Sequence, residues 1–223
     1  MSNSRIFLIL VCLFSLTLRP GAQVRTQGGS ARMTVTDRIR RFVPVDISGD
    51  LTGLSSNNRK ALAKLVEAAK LMDSIYLRQV WSGNVQVLRD LEADDSPRGE
   101  SLLHYFRINM GPWSKLDRDE PFIEGVPALK PPGANLYPED ITKGEFDSWQ
   151  RELPEEDRSR ATGFFYTIHR NETGTLVTKP YSEEYREFLE PAAQLLREAA
   201  LLTDNPSLKT FLFLRADAFR SND

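Results

Sequence analysis

The sequence predicts a predominantly helical α+β fold with a small β-hairpin, and three observations carry that reading. Apolar residues recur at steps of three and four along three long stretches, 62–80, 185–202 and 208–219, which is the spacing of a single helix face. Two β-type runs, 164–170 and 176–181, flank Asn171-Glu172-Thr173-Gly174, a hairpin signal. The composition, 40% apolar and 27% charged over 223 residues, is ordinary for a globular chain able to bury a core. It excludes wholesale disorder and a polytopic membrane protein.

Met1 to Gln23 carries Arg5, then an apolar run from Ile6 to Leu18 interrupted only by Cys12, Ser15 and Thr17, with Arg19 directly after it. That layout predicts a secretory signal peptide over 1–22, cleaved after Ala22, with Gly29-Ser30-Ala31 as a second cleavage position. The run is shorter than the ~20 apolar residues that span a bilayer, so no stable membrane span is expected. The expected location is periplasmic or extracellular. Cys12 is the only cysteine and would leave with the signal, so the exported chain is expected to form no internal disulfide. Residues 23–41 are rich in Gly, Ser, Thr, Gln and Arg without an apolar period, and read as a flexible basic leader.

From 42 to 223 the elements follow in order. Ser55 to Trp81 reads as a helix with Leu62, Leu65, Ala69, Met72, Tyr76 and Val80 on its inner face, Ser55 or Ser56 as cap and Gly83 as stop. A shorter helix follows over Asn84–Ala93, broken by Asp94-Asp95-Ser96-Pro97, and another lies near Gly99–Ile108. Gly111 to Pro138 holds six prolines and three glycines, so neither helix nor strand can run far. Its large apolar side chains, among them Trp113, Phe122 and Ile123, predict an ordered stretch pinned to the core.

Thr142-Lys-Gly-Glu145 is a capping box that opens a short helix to Gln150. Residues 139–157 hold eight acids against Lys143 and Arg151, read as a solvated acidic surface. The hairpin accounts for Asn171-Glu172-Thr173 without glycosylation. Ser182 to Thr203 returns to helical spacing, with Pro191 expected to start a second segment or kink a single one. Asn205-Pro206 opens the last helix, whose apolar row is Leu208, Phe211, Leu212 and Phe219. No self-similarity at solenoid periods occurs.

Chemistry-bearing motifs are scarce. The two histidines, His104 and His169, lie 65 residues apart without ligand-spaced partners, so no metal site is expected in this chain alone. There is no Gly-x-Ser-x-Gly elbow, no Gly-x-Gly-x-x-Gly and no Gly-Lys-Ser/Thr loop, although spacing leaves a Ser-His-Asp arrangement open. Glu155-Glu156 and Glu183-Glu184 are adjacent in sequence, so they do not face each other across a site. A net charge of −2 offers no positive field for nucleic acid. The candidate ligand-contacting residues are Asn109, Trp113, Asn135 and Tyr137, amide or amphipathic side chains on or beside the irregular stretch.

Several strings in one order carry a family resemblance across residues 42–223. They are Arg59 to Asp73 with Leu77-Arg78-Gln79-Val80-Trp81, then Asn109-Met110-Gly111-Pro112-Trp113, Glu120-Pro121-Phe122-Ile123 and Pro132 to Asp140. Pro180 to Tyr185 and Arg215 to Asp223 complete the series. Together these resemble the N-terminal part of dipeptidyl peptidase III proteins of the bacterial and plant type. The resemblance implies a two-lobed zinc exopeptidase that releases dipeptides from peptide N-termini by metal-activated water. The family's zinc ligands come from a His-Glu-x-x-Gly-His type helix and a downstream Glu-Glu helix, and neither motif occurs in these residues.

The resemblance therefore implies part of the non-zinc lobe and one wall of the cleft, incomplete at its C-terminus, inactive and zinc-free alone. The partners it implies are short peptides, through the complete enzyme, and the missing C-terminal lobe. Some plant relatives also carry a nucleotide-hydrolase domain, whose Glu-rich signature helix is not found here. The alternatives are a non-catalytic exported module that binds a peptide or partner, and a fragment that does not fold alone.

Overall fold

The computed structural model of the chain describes residues 33–223, so the signal peptide read over 1–22 and the leader's first residues lie outside the described residues. The fold is α+β and mostly helical. Its spine is α2 (Ser56–Val80), capped by Ser55 Oγ, which accepts from the Asn58 amide at 3.1 Å. Packed on it is α8 (Arg186–Leu202), and on α8 in turn α9 (Pro206–Ser221), capped by Asn205, whose side chain accepts from the amides of Ser207 and Leu208. Small side chains line this three-helix seam, Ala61, Ala68, Ala193, Ala199, Ala200 and Ala216, and they let the backbones approach closely around Leu196 and Leu212. Of the predicted inner row of α2, Val80 is buried and Leu65 and Met72 pack against the core, with Ala61, Ala68, Ile75 and Leu77 buried beside them; Ala69 and Tyr76 are exposed.

The turn between α8 and α9 is tied back to the start of α2. Asn58 Oδ1 accepts from Thr203 Oγ1 at 2.9 Å and from the Asp204 amide at 3.0 Å, while Ser55 and Asn57 hydrogen-bond the Asp204 carboxylate. The predicted break in the 182–203 stretch falls at Tyr185 rather than Pro191. A short α7 (Tyr181–Glu184) precedes it, and Pro191 is carried inside α8.

Beyond α2 the chain turns at Gly83. A Cβ there would lie 2.2 Å from the Trp81 ring, so the close approach itself requires glycine. Two helices follow, α3 (Asn84–Glu92) and α4 (Pro97–Asn109), with Ser96 and Pro97 at the start of α4 as cap and first residue. Leu77, Leu91 and Phe106 form their core, joined by Phe122 and Ile123 from the proline-rich stretch. That stretch is ordered as expected and contains a small antiparallel pair, β1 (Trp113–Ser114) with β2 (Glu120–Pro121). It ends in a 3₁₀ turn, Ala134–Leu136.

Next come α5 (Lys143–Glu152), with Thr142 as N-cap, and α6 (Glu155–Ala161). The predicted hairpin follows as β3 (Tyr166–Arg170) antiparallel to β4 (Leu176–Pro180), in the register Ile168 opposite Thr178. Its turn has Gly174 at φ +82°, and Asn171 Oδ1 accepts from the amides of Thr173 and Thr175.

One expectation is corrected. Residues 34–41, read as the end of a flexible leader, form a short helix, α1 (Val35–Ile39), pinned to the β1–β2 region. Arg38 is only 4% exposed and donates to Asp117 at 3.0 Å and Glu120 at 2.9 Å. Arg41 donates to both Asp117 oxygens, and Ser114 Oγ donates to Asp117 at 2.5 Å. A run of arginines looks solvated in sequence; here its acidic partners are supplied from about eighty residues away.

Candidate functional site

Of the four candidate residues, the fold sets two inside and two at a cleft. Asn109, at the end of α4, is buried; its Nδ2 donates to the Tyr105 carbonyl at 2.9 Å and its Oδ1 accepts from the Lys115 amide at 3.0 Å. Trp113 is buried against Trp81 in an edge-to-face pair with centroids 5.2 Å apart, and its Nε1 donates to the Pro127 carbonyl at 3.0 Å. Both side chains spend their polar atoms on backbone groups, two of which, the Lys115 amide and the Pro127 carbonyl, lie in the proline-rich stretch. Asn135 and Tyr137, by contrast, line a cleft of about 320 Å³ together with Ser82, Pro138, Glu139 and residues 168–170 of β3.

The cleft wall is built locally. Gly133 at φ +80° turns the chain into the 3₁₀ turn, where Asn135 Nδ2 donates to the Arg78 carbonyl at the end of α2, 3.0 Å away. This bond satisfies one of the helix's free C-terminal carbonyls. Tyr137 stands edge-on to Phe146 of α5, centroids 5.9 Å apart. Ser82 Oγ donates to Glu139 at 3.1 Å.

Arg170 is neutralised where it stands. It donates to both Asp140 oxygens, with Nε at 2.9 Å, and bidentately to Glu145 at 2.7 and 3.0 Å. Those hydrogen bonds raise the guanidinium pKa and hold both carboxyls below their ordinary values. With its charge matched, Arg170 does not make the cleft an anion site.

His169 is the one imidazole at the cleft, and sequence reasoning missed its partners. Its Nε2 lies 2.8 Å from Thr167 Oγ1 and 3.3 Å from Glu184 Oε2, whose other neighbour is Lys179 Nζ at 2.8 Å. Thr167 and His169 are two apart on β3 and share a face, a signal legible in the sequence; Glu184 on α7 is not. The trio resembles a catalytic triad in composition only. In a triad the hydroxyl and the carboxylate use different ring nitrogens, whereas here both address Nε2. Thr167 is fully buried, and its hydroxyl also donates to the Lys179 carbonyl at 3.3 Å.

Among the described residues, no three His, Cys, Asp or Glu side chains converge as a metal ion requires. The nearest approach, His169 with Glu184, has the Lys179 ammonium on the same carboxylate oxygen, so a zinc ion does not fit these residues. No helix among the described residues is long and apolar enough to cross a membrane.

The fold and cleft define a mostly helical α+β unit, and comparison with known proteins gives it a peptidase-like fold. Dipeptidyl-peptidase III from Corallococcus sp. strain EGB is 48% identical with a TM-score of 0.81, over 85% of this chain and 35% of that one. The dipeptidyl-peptidase III structure from Caldithrix abyssi is 44% identical with a TM-score of 0.80, over 84% of this chain and 35% of that one. The chain is therefore similar to the N-terminal part of dipeptidyl-peptidase III. A curated plant protein, Nudix hydrolase 3 of Arabidopsis thaliana, is 35% identical over 255 aligned residues, 92% of this chain and 33% of that protein. Its name denotes a different chemistry from that of the two structures. The chain spans about a third of the length of each protein it matches. No protein-family model matches it.

Proposed function

We propose that the chain works as part of a zinc-dependent peptidase resembling dipeptidyl peptidase III, with residues 42–223 in the lobe that does not hold the metal. The observation that carries this reading is the 44–48% identity to two dipeptidyl-peptidase III structures across most of the chain, with matching topology. In this reading the substrate is a short peptide lying along one wall of the interlobe cleft. Asn135 and Tyr137 are the candidate residues on the exposed side of that wall, and Asn109 with Trp113 holds the proline-rich stretch behind it. The metal would activate water using ligands other than the residues described here, since a zinc ion does not fit these. Export is part of the proposal and rests on the charge and apolar pattern of Met1–Gln23.

A chimera tests the reading. The matched third of the Corallococcus protein is replaced by residues 42–223, and zinc content and dipeptide release from a dipeptidyl-arylamide are measured. Zinc-loaded chimera that releases dipeptides is the expected result. A chimera that melts cooperatively, carries zinc and releases none would overturn the proposal in favour of a binding module.

A further inference from the structure

The last helix is apolar on two sides. Its inner side, Leu212 and Ala216, is buried in the three-helix seam, while Phe211 and Leu214 on the opposite side are 53% and 65% exposed. Large apolar side chains grouped on the side of a helix away from its core mark a surface that a partner covers. Phe165, 52% exposed in the turn before β3, lines a shallow cleft together with Phe211 and Leu214. Phe165 also lines a mainly apolar cavity of about 270 Å³ between α2, α7 and α9. At its rim the Asn222 side chain accepts from the Ser182 amide at 3.2 Å, but its Nδ2 is buried without a hydrogen-bond partner among the described residues. A buried donor without an acceptor is costly, and a backbone carbonyl from a docked segment would satisfy it.

We infer that this surface, the outer face of α9 with Phe165 and the adjoining cavity, seats the remaining two-thirds of a dipeptidyl-peptidase III-like fold. The occupant brings a large apolar side chain for the cavity and a carbonyl for Asn222. The inference rests on the proposed function and deepens it. The matched structures argue for this occupant: the match takes in only 35% of each, so most of that fold lies outside the matched region. Phe165, Phe211 and Leu214 left exposed together would be a liability on a monomer.

Peptide-resolved thiol labelling tests it. Leu214→Cys is placed in the full chain carrying Cys12→Ser, and in the chimera with the Corallococcus protein; Leu129→Cys, on a different exposed stretch, is the control. Cys at 214 should react freely in the full chain and at least ~10-fold more slowly in the chimera, the control reacting alike in both. Equal reactivity at 214 in the two proteins overturns the inference. So does protection in the full chain alone that grows with concentration, which would mean that a second copy covers the face. The full chain gives a second measurement independent of the chimera. It should bind an apolar-surface dye, and Phe211→Asp with Leu214→Asp should remove most of that binding without lowering the melting temperature. Dye binding that this pair leaves intact also overturns the inference. A protected but inactive chimera would sink the proposed function alone, and an active chimera with a reactive thiol at 214 would sink this inference alone.

Discussion

Asn84 shows how much of this fold hangs on single polar side chains. It is fully buried at the first turn of α3, and its Nδ2 donates to the Leu77 carbonyl at 2.9 Å and the Met110 carbonyl at 3.3 Å. One amide thus closes the end of α2 and the end of α4 together. Asn84→Ala leaves both carbonyls short of a donor and should cost about 2–3 kcal/mol, measured as a lower urea midpoint. Asn84→Asp should cost more at neutral pH, because a buried carboxylate would face two carbonyl oxygens, and the excess should shrink as the acid is protonated. Equal midpoints for wild type and Asn84→Ala would show that water serves these carbonyls as well. A second residue-scale test belongs to the cleft. In the active chimera, Asn135→Ala and Tyr137→Phe should raise KM and leave kcat nearly unchanged if these side chains only hold the peptide. A fall in kcat at constant KM would rule that role out.

At the scale of elements, α1 is the instructive case. Asp117 is held down to about 2 by hydrogen bonds from Arg41 and Ser114, helped by the nearby charge of Arg38. A carboxyl with a depressed folded pKa contributes stability that is fully present above its ordinary value, and loses it as pH falls through the folded value. The attachment of α1 should therefore be constant from pH 7 down to about 4 and fail between about 4 and 2. Amide exchange at residues 38–42 reports it, and Asp117→Asn should raise that exchange ~10-fold at neutral pH. Unchanged exchange in Asp117→Asn would mean that apolar packing alone holds the helix.

The same element marks the limit of what sequence discloses. The long helices, their caps at Ser55, Thr142 and Asn205, and the hairpin at Asn171–Gly174 were all legible, because each is set by neighbours within a few residues. The docking of α1 was not, since Arg38 meets Asp117 and Glu120 across 79 and 82 residues. The candidate site divides along the same line. The irregular stretch announced that amides and aromatics were being held in place, but only the fold separates Asn109 and Trp113, turned inward to backbone, from Asn135 and Tyr137 at the cleft. His169 showed its strand neighbour Thr167 by spacing, and nothing nearby in sequence pointed to Glu184.

For the molecule as a whole, the question is whether the seam of α2, α8 and α9 and the α3–α4 region with its proline-rich stretch behave as one unit. The answer lies in α2, because every hydrophobic cluster among the described residues draws on it. Ala61 and Ala68 belong to the seam with α8 and α9, Ile75 packs with Tyr185 and Leu189, and Leu77 packs with Leu91 and Phe106. A rigid helix shared by adjoining cores transmits the loss of one to the others, so the described chain should unfold in a single cooperative transition. Two probes watch different ends of this spine. The far-ultraviolet circular dichroism is dominated by the long helices, while much of the tryptophan emission arises from the Trp81–Trp113 pair at the junction with the proline-rich stretch. Their urea transitions should coincide in midpoint and slope, and calorimetric and van't Hoff enthalpies should agree. Emission that changes at lower urea than the helical signal would instead make the α3–α4 region a separate unit. In that case Asn84→Ala should move the first transition and leave the second where it was.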